Sequence, residues 1–190
     1  YQQQGIVAYI QTEQPHQDTA WQRFLSTGPL AFLPVSEKVC SIVWTLPKDR
    51  AAELLQASPE VFCNALDSAF AGSLGKTKLI SERAAFPLKR QLAKTMLQGR
   101  TLLLGDAAHA VHPLAGQGVN LGLRDIAALQ KSFENSKIKN TDALSVKTLN
   151  RWAMQRYSEN AIATYAFENI NRVFSNDNFA LSLLRGPMLG

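Results

Sequence analysis

Leu102-Leu103-Leu104-Gly105-Asp106-Ala107-Ala108-His109-Ala110-Val111-His112-Pro113-Leu114-Ala115-Gly116-Gln117-Gly118-Val119-Asn120-Leu121-Gly122 is the stretch that decides how this 190-residue chain is read. The three leucines, ended by Gly105-Asp106, read as a short strand buried on both faces, as in the parallel sheet of an α/β protein. Such a strand puts the Asp106 carboxylate at its carboxyl end, where α/β sheets bind ligands. A loop over 107–117 follows, then helical spacing from Val119 to Phe133 through Ile126, Leu129 and Phe133. Asp106 can accept hydrogen bonds from the hydroxyls of a ribose-like chain. Gly116 and Gly118 let backbone approach a flat ligand, and the unpaired N–H groups that open the helix favour partial negative charge. The spacing suits a cofactor with a polyol tail and an electron-rich ring.

Upstream the pattern is that of antiparallel sheet. Runs over 5–12, 21–26, 30–35 and 39–46 are rich in β-branched and aromatic residues and are separated by turn signals such as Thr27-Gly28-Pro29 and Ser36-Glu37-Lys38. In the fourth run Cys40, Ile42, Trp44 and Leu46 fall on one face, as a half-buried strand requires. From Pro47 to Gly75 the period changes to that of two helices. The second is opened by Ser58 as N-cap with Pro59 at the first position, closes near Gly72 or Gly75, and carries its core stripe on Phe62, Leu66, Ala69 and Phe70. Residues 79–88 return to extended chain, with Ile80, Ala84, Phe86 and Leu88 on a shared face.

Downstream, a polar linker over 135–142 leads into a long helical stretch from Ala143 to Phe174, and 179–185 reads as a short last helix stopped by Gly186-Pro187. Tyr157, Tyr165, Phe167, Phe174 and Phe179 are expected in the core, with a docking surface as the alternative. One parallel-type strand with one following helix cannot make a doubly wound sheet alone, so its neighbours are expected from sequence that lies upstream.

Composition narrows the class. With 46% apolar residues the chain can bury a core, and no apolar run reaches the roughly 18 residues of a membrane span. The first residues have neither the basic start nor the apolar stretch of a signal peptide. Cys40 and Cys63 lack metal-ligand spacing and lie in apolar stretches, which reads as buried reduced thiols of a cytoplasmic protein. The formal charge of +5 is spread among acids without aromatic interleaving. That argues against nucleic acid and leaves weak attraction to an anionic membrane surface open.

Asp106, His109 and His112 recur every three residues, and carboxylate with imidazole is ordinary ligand chemistry for zinc or iron. Pro113 and the glycines make the segment a loop, which scatters such a set, and no metal is expected. His109 is expected to hold the loop through backbone hydrogen bonds.

The run Gly105-Asp106-Ala107-Ala108-His109, then His112-Pro113-Leu114-Ala115-Gly116-Gln117-Gly118-Val119-Asn120-Leu121-Gly122, resembles the second FAD motif of the class A flavoprotein monooxygenases, and among them the ubiquinone-biosynthesis hydroxylases. The extended Phe86-Pro87-Leu88 and the order of sheet then helices are similar too. The resemblance implies that Asp106 binds a ribityl hydroxyl of FAD with Gly105 allowing close approach. It implies that amides around Gly118, Val119 and Asn120 face the N1 and C2-carbonyl edge of the flavin, and that Pro113 lies beside the ring with Gly116 in the same loop. No catalytic side chain is implied. NAD(P)H reduces the flavin, O₂ adds to it, and a flavin hydroperoxide hydroxylates an electron-rich phenol, so the cofactor carries the hard step.

The resemblance thus implies an α/β fold, α+β within these residues. Residues 1–92 would be a substrate-binding domain with the antiparallel sheet, 93–134 the C-terminal part of a Rossmann-like FAD-binding domain, and 135–190 a C-terminal helical region. It implies a polyprenylated phenol as substrate, a cytoplasmic location peripheral to the inner membrane, and a homo-oligomer or a complex with quinone-pathway proteins. Another aromatic substrate, or a non-catalytic interaction module, stays open. The family's GxGxxG fingerprint and its Asp-Gly motif are missing, so the chain is expected to be a C-terminal fragment that alone binds FAD weakly and self-associates through unpaired strand edges.

Overall fold

A computed structural model describes residues 2–89, 91–110 and 117–174. It divides into two compact units, the first made of residues up to Leu88 and the second running from Lys89 to Ile170.

In the first unit β1 (Gln3–Thr12), β2 (Trp21–Leu25), β3 (Gly28–Ser36) and β4 (Val39–Pro47) are joined by α1 (Lys48–Gln56) and α2 (Pro59–Ala69) to β5 (Thr77–Leu79) and β6 (Ala84–Pro87). They form one antiparallel sheet in the order β2-β3-β4-β1-β5, with β6 also paired to β1. Alternation sends Ile6, Ile10, Leu30, Phe32, Cys40, Ile42, Trp44 and Leu46 to one face, where they pack on Ala51, Leu54, Phe62 and Leu66 of the two helices. Phe32 stacks on Phe70 at 3.8 Å between ring centroids, and Trp44 meets Phe62 edge-on at 6.1 Å. Cys40 and Cys63 are buried free thiols, and burial pushes the Cys40 thiol pKa up.

α2 starts as the sequence predicts, with Ser58 Oγ accepting from the Val61 N–H at 3.3 Å and Pro59 at the first position. It stops at Ala69, ahead of the predicted glycines, because Ala71 at φ 55° and Gly72 at φ 64° turn the chain left-handed. Arg83, just ahead of β6, clasps the layer from outside. Its guanidinium donates to Leu54 O and Ala57 O, the open carbonyls at the end of α1, and lies 5.1 Å from the Phe62 ring centroid.

The register also fixes what the opposite face carries. Val7 lies across from Val43 and from Ala84, Val43 from Ala31, Gly5 from Phe86, and Ser41 from both Tyr9 and Leu33. The face shared by Ile80, Ala84 and Phe86 belongs to this outer side; Ile80 is 48% exposed and Phe86 58%. Ala85, between Ala84 and Phe86 and opposite Ile6, is the β6 residue that packs on the core.

The second unit holds two small antiparallel pairs, β7 (Gln91–Leu92) with β10 (His109–Ala110) and β8 (Leu97–Gln98) with β9 (Thr101–Leu102). These pack on α3 (Gln117–Ile138) and α4 (Val146–Phe174). Here the reading of Leu102-Leu103-Leu104 as a doubly buried parallel strand is corrected. Leu102 pairs antiparallel with Leu97, the Leu103 N–H donates to Met96 O, and all three leucines are half-buried. A local turn decides it: Gly99, at φ 60°, opens the two-residue connection that folds β9 back on β8. The core of this unit is Met96, Leu97, Ala108, Leu149, Trp152 and Ala153, with the leucine run and Ala128, Leu129 and Phe133 packed around it.

α3 begins earlier and ends later than the spacing predicts, and its buried stripe is rotated. Ile126 is 53% exposed, whereas Leu121 and Asp125 are buried. On α4, Tyr157 and Tyr165 are exposed rather than in the core, because the buried line of that helix runs through Trp152, Arg156, Asn160 and Thr164. The side chains of Phe167, Phe174 and Phe179 and the helix predicted over 179–185 lie outside the described residues.

Phe62 is fully buried between sheet and Arg83. Phe62→Ala is expected to lower the unfolding free energy by about 3–5 kcal/mol, measured by urea denaturation. A loss below about 1 kcal/mol would show that the site collapses freely.

Candidate functional site

The site grows from the connection between β9 and α3. Residues Gly105–Ala107 make one 3₁₀ turn, and Gly105 sits at φ 55°, a left-handed conformation that glycine reaches without the strain a Cβ imposes. The turn lies against α3 with no side chain between: a Cβ built on Gly122 would come within 3.3 Å of Gly105 Cα, and one on Gly105 within 3.8 Å of Gly122 Cα. This glycine contact brings the turn next to the start of α3. There a Cβ on Gly118 would stand 3.9 Å from Asp106 Oδ1.

Asp106 itself is exposed and has no hydrogen-bond or charge partner among the described residues. Gly118, Val119 and Asn120 form the first turn of α3, whose N–H groups have no acceptor within the helix. Val119 and Asn120 face outward and Gly118 is half-buried. Five of the residues singled out in the sequence, Gly105, Asp106, Gly118, Val119 and Asn120, are therefore brought together at one helix entrance. Pro113 and Gly116, with His112, lie outside the described residues.

Beneath this entrance is an arrangement that reading the sequence missed. Asp125, with no exposure, accepts from the Gly105 N–H at 3.0 Å and from His109 Nε2 at 2.7 Å through Oδ2. Through Oδ1 it accepts from Arg156 Nε at 2.8 Å and Asn160 Nδ2 at 3.0 Å. Its own carbonyl accepts from Trp152 Nε1. Arg156 also reaches Asn160 Oδ1 at 2.8 Å and pairs with Glu159. One carboxylate oxygen thus holds the flanks of the 3₁₀ turn and the other holds α4. Burial alone would raise the Asp125 pKa, but the donors from Asn160, His109, Arg156 and Gly105 together keep it below the ordinary carboxylate value.

His109 therefore holds the loop through a buried carboxylate and not through backbone, as had been expected. The signal was present: Asp125 lies one helical turn from Leu121 on an apolar stripe, and a buried carboxylate requires a cation and donors. A metal set at Asp106, His109 and His112 is not what the described geometry offers, since the His109 imidazole is buried on Asp125 while Asp106 faces outward. Among the described residues no group of three His, Cys, Asp or Glu side chains could hold a metal ion.

The arrangement can therefore accept hydrogen bonds at Asp106 and donate them from the α3 entrance, which fits a polyol next to an electron-rich ring. Its one imidazole–carboxylate pair among the described residues, His109 with Asp125, has no exposure to solvent and serves to hold the turn. Comparison with known proteins agrees with this chemistry. The FAD binding domain family profile matches residues 5–136, and the chain belongs to that family.

Three relatives are 34% identical to it: human ubiquinone biosynthesis monooxygenase COQ6, mitochondrial (97% of this chain, 47% of that protein), ubiquinone hydroxylase UbiL of Rhodospirillum rubrum (100% and 44%) and 3-demethoxyubiquinol 3-hydroxylase of Escherichia coli (97% and 47%). The chain spans a little under half the length of each. Among solved structures, PqsL of Pseudomonas aeruginosa, a probable FAD-dependent monooxygenase, shares the fold with a TM-score of 0.74 at 20% identity, over 93% of this chain and 50% of that one.

Because the Asp125 carboxyl is held below its ordinary value in the folded state, the stability it contributes is complete above the unfolded carboxylate pKa of about 3.9 and is lost as pH falls through the folded pKa. Asp125→Asn is expected to cost about 3–5 kcal/mol at pH 7, since it takes from Arg156 its buried anion and leaves only the half-exposed Glu159. That deficit should narrow below pH 4. Urea unfolding of both proteins across this range tests it, and a deficit that does not change with pH would assign the loss to shape alone.

Proposed function

We propose that the protein containing this chain is an FAD-dependent monooxygenase that hydroxylates the aromatic ring of a polyprenylated phenol in ubiquinone biosynthesis, with NAD(P)H as reductant and O₂ as oxidant. The observation that carries the reading is the outward Asp106 carboxylate, without a partner among the described residues and set beside the first turn of α3 by the Gly105–Gly122 contact. The names of the 34%-identical relatives support the pathway.

Bound FAD supplies the redox and oxygen-transfer chemistry. Asp106 would accept a hydrogen bond from a ribityl hydroxyl, and Gly105 keeps the backbone there free of a side chain. The N–H groups of Gly118, Val119 and Asn120, at the positive end of α3, would donate to the pyrimidine edge of the flavin and favour its anionic reduced form. Pro113 and Gly116, by the family resemblance alone, would lie against the ring. Asp125, His109, Arg156 and Asn160 hold the turn in place from beneath.

For the substrate, the outer face of the first unit's sheet offers a wall of Val7, Tyr9, Ala31, Leu33, Val43, Ala84 and Phe86, mostly apolar with the hydroxyl of Ser41 among them, which suits a phenol ring with a prenyl tail. A cytoplasmic position at the inner membrane surface, and assembly with itself or with other quinone-pathway proteins, complete the proposal.

In the full-length protein, Asp106→Ala is expected to weaken FAD binding about ten- to a hundredfold, read by flavin fluorescence quenching, with an unchanged circular dichroism spectrum. The unaltered protein should transfer one atom of isotopically labelled O₂ to a polyprenylated phenol when supplied with NAD(P)H. Full FAD affinity in the variant would remove Asp106 from the cofactor site, and reduction of the flavin without labelled product would overturn the hydroxylase reading.

A further inference from the structure

The turn joining α3 to α4 carries a local excess of positive charge. Between Lys131 and Arg151 there are five cations, Lys131, Lys137, Lys139, Lys147 and Arg151, and only two carboxylates, Glu134 and Asp142. Both carboxylates are engaged locally. Glu134 Oε1 accepts from Gln130 Nε2 at 2.9 Å, and Asp142 Oδ1 accepts from the Leu144 N–H at 2.8 Å.

Lys131, Lys139 and Arg151 line a cleft of about 250 Å³ between the end of α3 and the start of α4, together with polar groups such as Ser132, Asn135 and Thr141 and with no carboxylate. None of the three cations has an ion-pair partner among the described residues. Three unpaired cations around an acid-free cleft make a local potential that attracts phosphate.

The tip of the same turn is apolar. Ile138 is 81% exposed, Leu144 54% and Val146 62%. Single exposed apolar residues are ordinary on a protein surface, but three on one turn, set among unpaired cations, have the composition that enters the headgroup region of a bilayer. Among the described residues no helix is long and apolar enough to cross a membrane, so the contact would be a surface one.

We propose that the α3–α4 turn is a membrane-docking element: Lys131, Lys139 and Arg151 meet the phosphates of anionic lipids while Ile138, Leu144 and Val146 enter the boundary between headgroups and acyl chains. The inference rests on the membrane-surface location proposed above and not on the hydroxylation chemistry, so a binding measurement tests it without turnover.

The test is sedimentation of the full-length protein with vesicles of phosphatidylcholine alone or mixed with phosphatidylglycerol, with melting temperature as a check on folding. The expected result is binding to the mixed vesicles only, weakened by salt. Lys131→Gln/Lys139→Gln/Arg151→Gln should lower it by about two orders of magnitude. Ile138→Ser/Leu144→Ser/Val146→Ser should lower it about tenfold or more. Vesicle binding that neither triple variant changes would overturn this turn as the docking element and leave the membrane location standing. Absence of any vesicle binding by the unaltered protein would sink both. Saturable binding of glycerol phosphate, lost in the cation variant while vesicles are ignored, would make the cleft a soluble phosphate site and overturn the docking inference.

Discussion

A single buried carboxylate organises the second unit. Asp125 has no access to solvent, and an isolated anion in that position would be strongly disfavoured, so the folded state is committed to supplying its donors. They come from two places far apart in sequence: Gly105 and His109, at and just after the turn, and Arg156 and Asn160 from α4. The carboxylate therefore acts as a three-way joint whose position sets where the Gly105–Ala107 turn lies against α3. Replacing the whole cluster with apolar residues could preserve stability, yet it would release the directional constraint on the turn. The polar cluster and the glycine contact above it do complementary work. One fixes orientation and the other fixes distance.

Much of this was legible in the sequence where local chemistry and burial agree. The four main strands, the Ser58-Pro59 helix start and the buried face Cys40-Ile42-Trp44-Leu46 follow from period-2 alternation and capping, which depend on neighbours along the chain. Two failures have a common cause. The leucine run satisfied the pattern of a doubly buried strand, but pattern alone does not report pairing partners, and Gly99 turned the run into a tight hairpin instead. On α3 the apolar residue Ile126 drew the predicted stripe away from the side on which Leu121 and Asp125 are buried. Asp125 shares the helix face of Leu121, a local signal, but the donors Arg156 and Asn160 that let it be buried lie over thirty residues away, outside any local window.

The site shows the same division. Asp106 and Gly118 were legible because a carboxylate followed by a glycine-rich entry into a helix has a direct physical meaning, Gly105, Val119 and Asn120 were named through the family resemblance, and the turn geometry brings the five together. The support beneath them was not legible, since the loop around His109 points to backbone hydrogen bonds for its ring and not to a carboxylate sixteen residues on. Its neighbour in space, and not its neighbours in sequence, made the choice.

The first unit has a feature with a different kind of consequence. Along β1, β3 and β4 each residue that builds the core is followed by one that faces the other way, so Ile6 and Val7, Ile42 and Val43, or Leu30 and Ala31 belong to separate surfaces. Interior packing and the exposed wall can therefore diverge independently. Exchanging Ala31 or Val43 for a larger or smaller side chain recuts the shape presented outward while Phe32, Ile42 and Trp44 keep their contacts. A single scaffold of this kind can serve differently shaped molecules through a handful of outward substitutions, each made without rebuilding the interior.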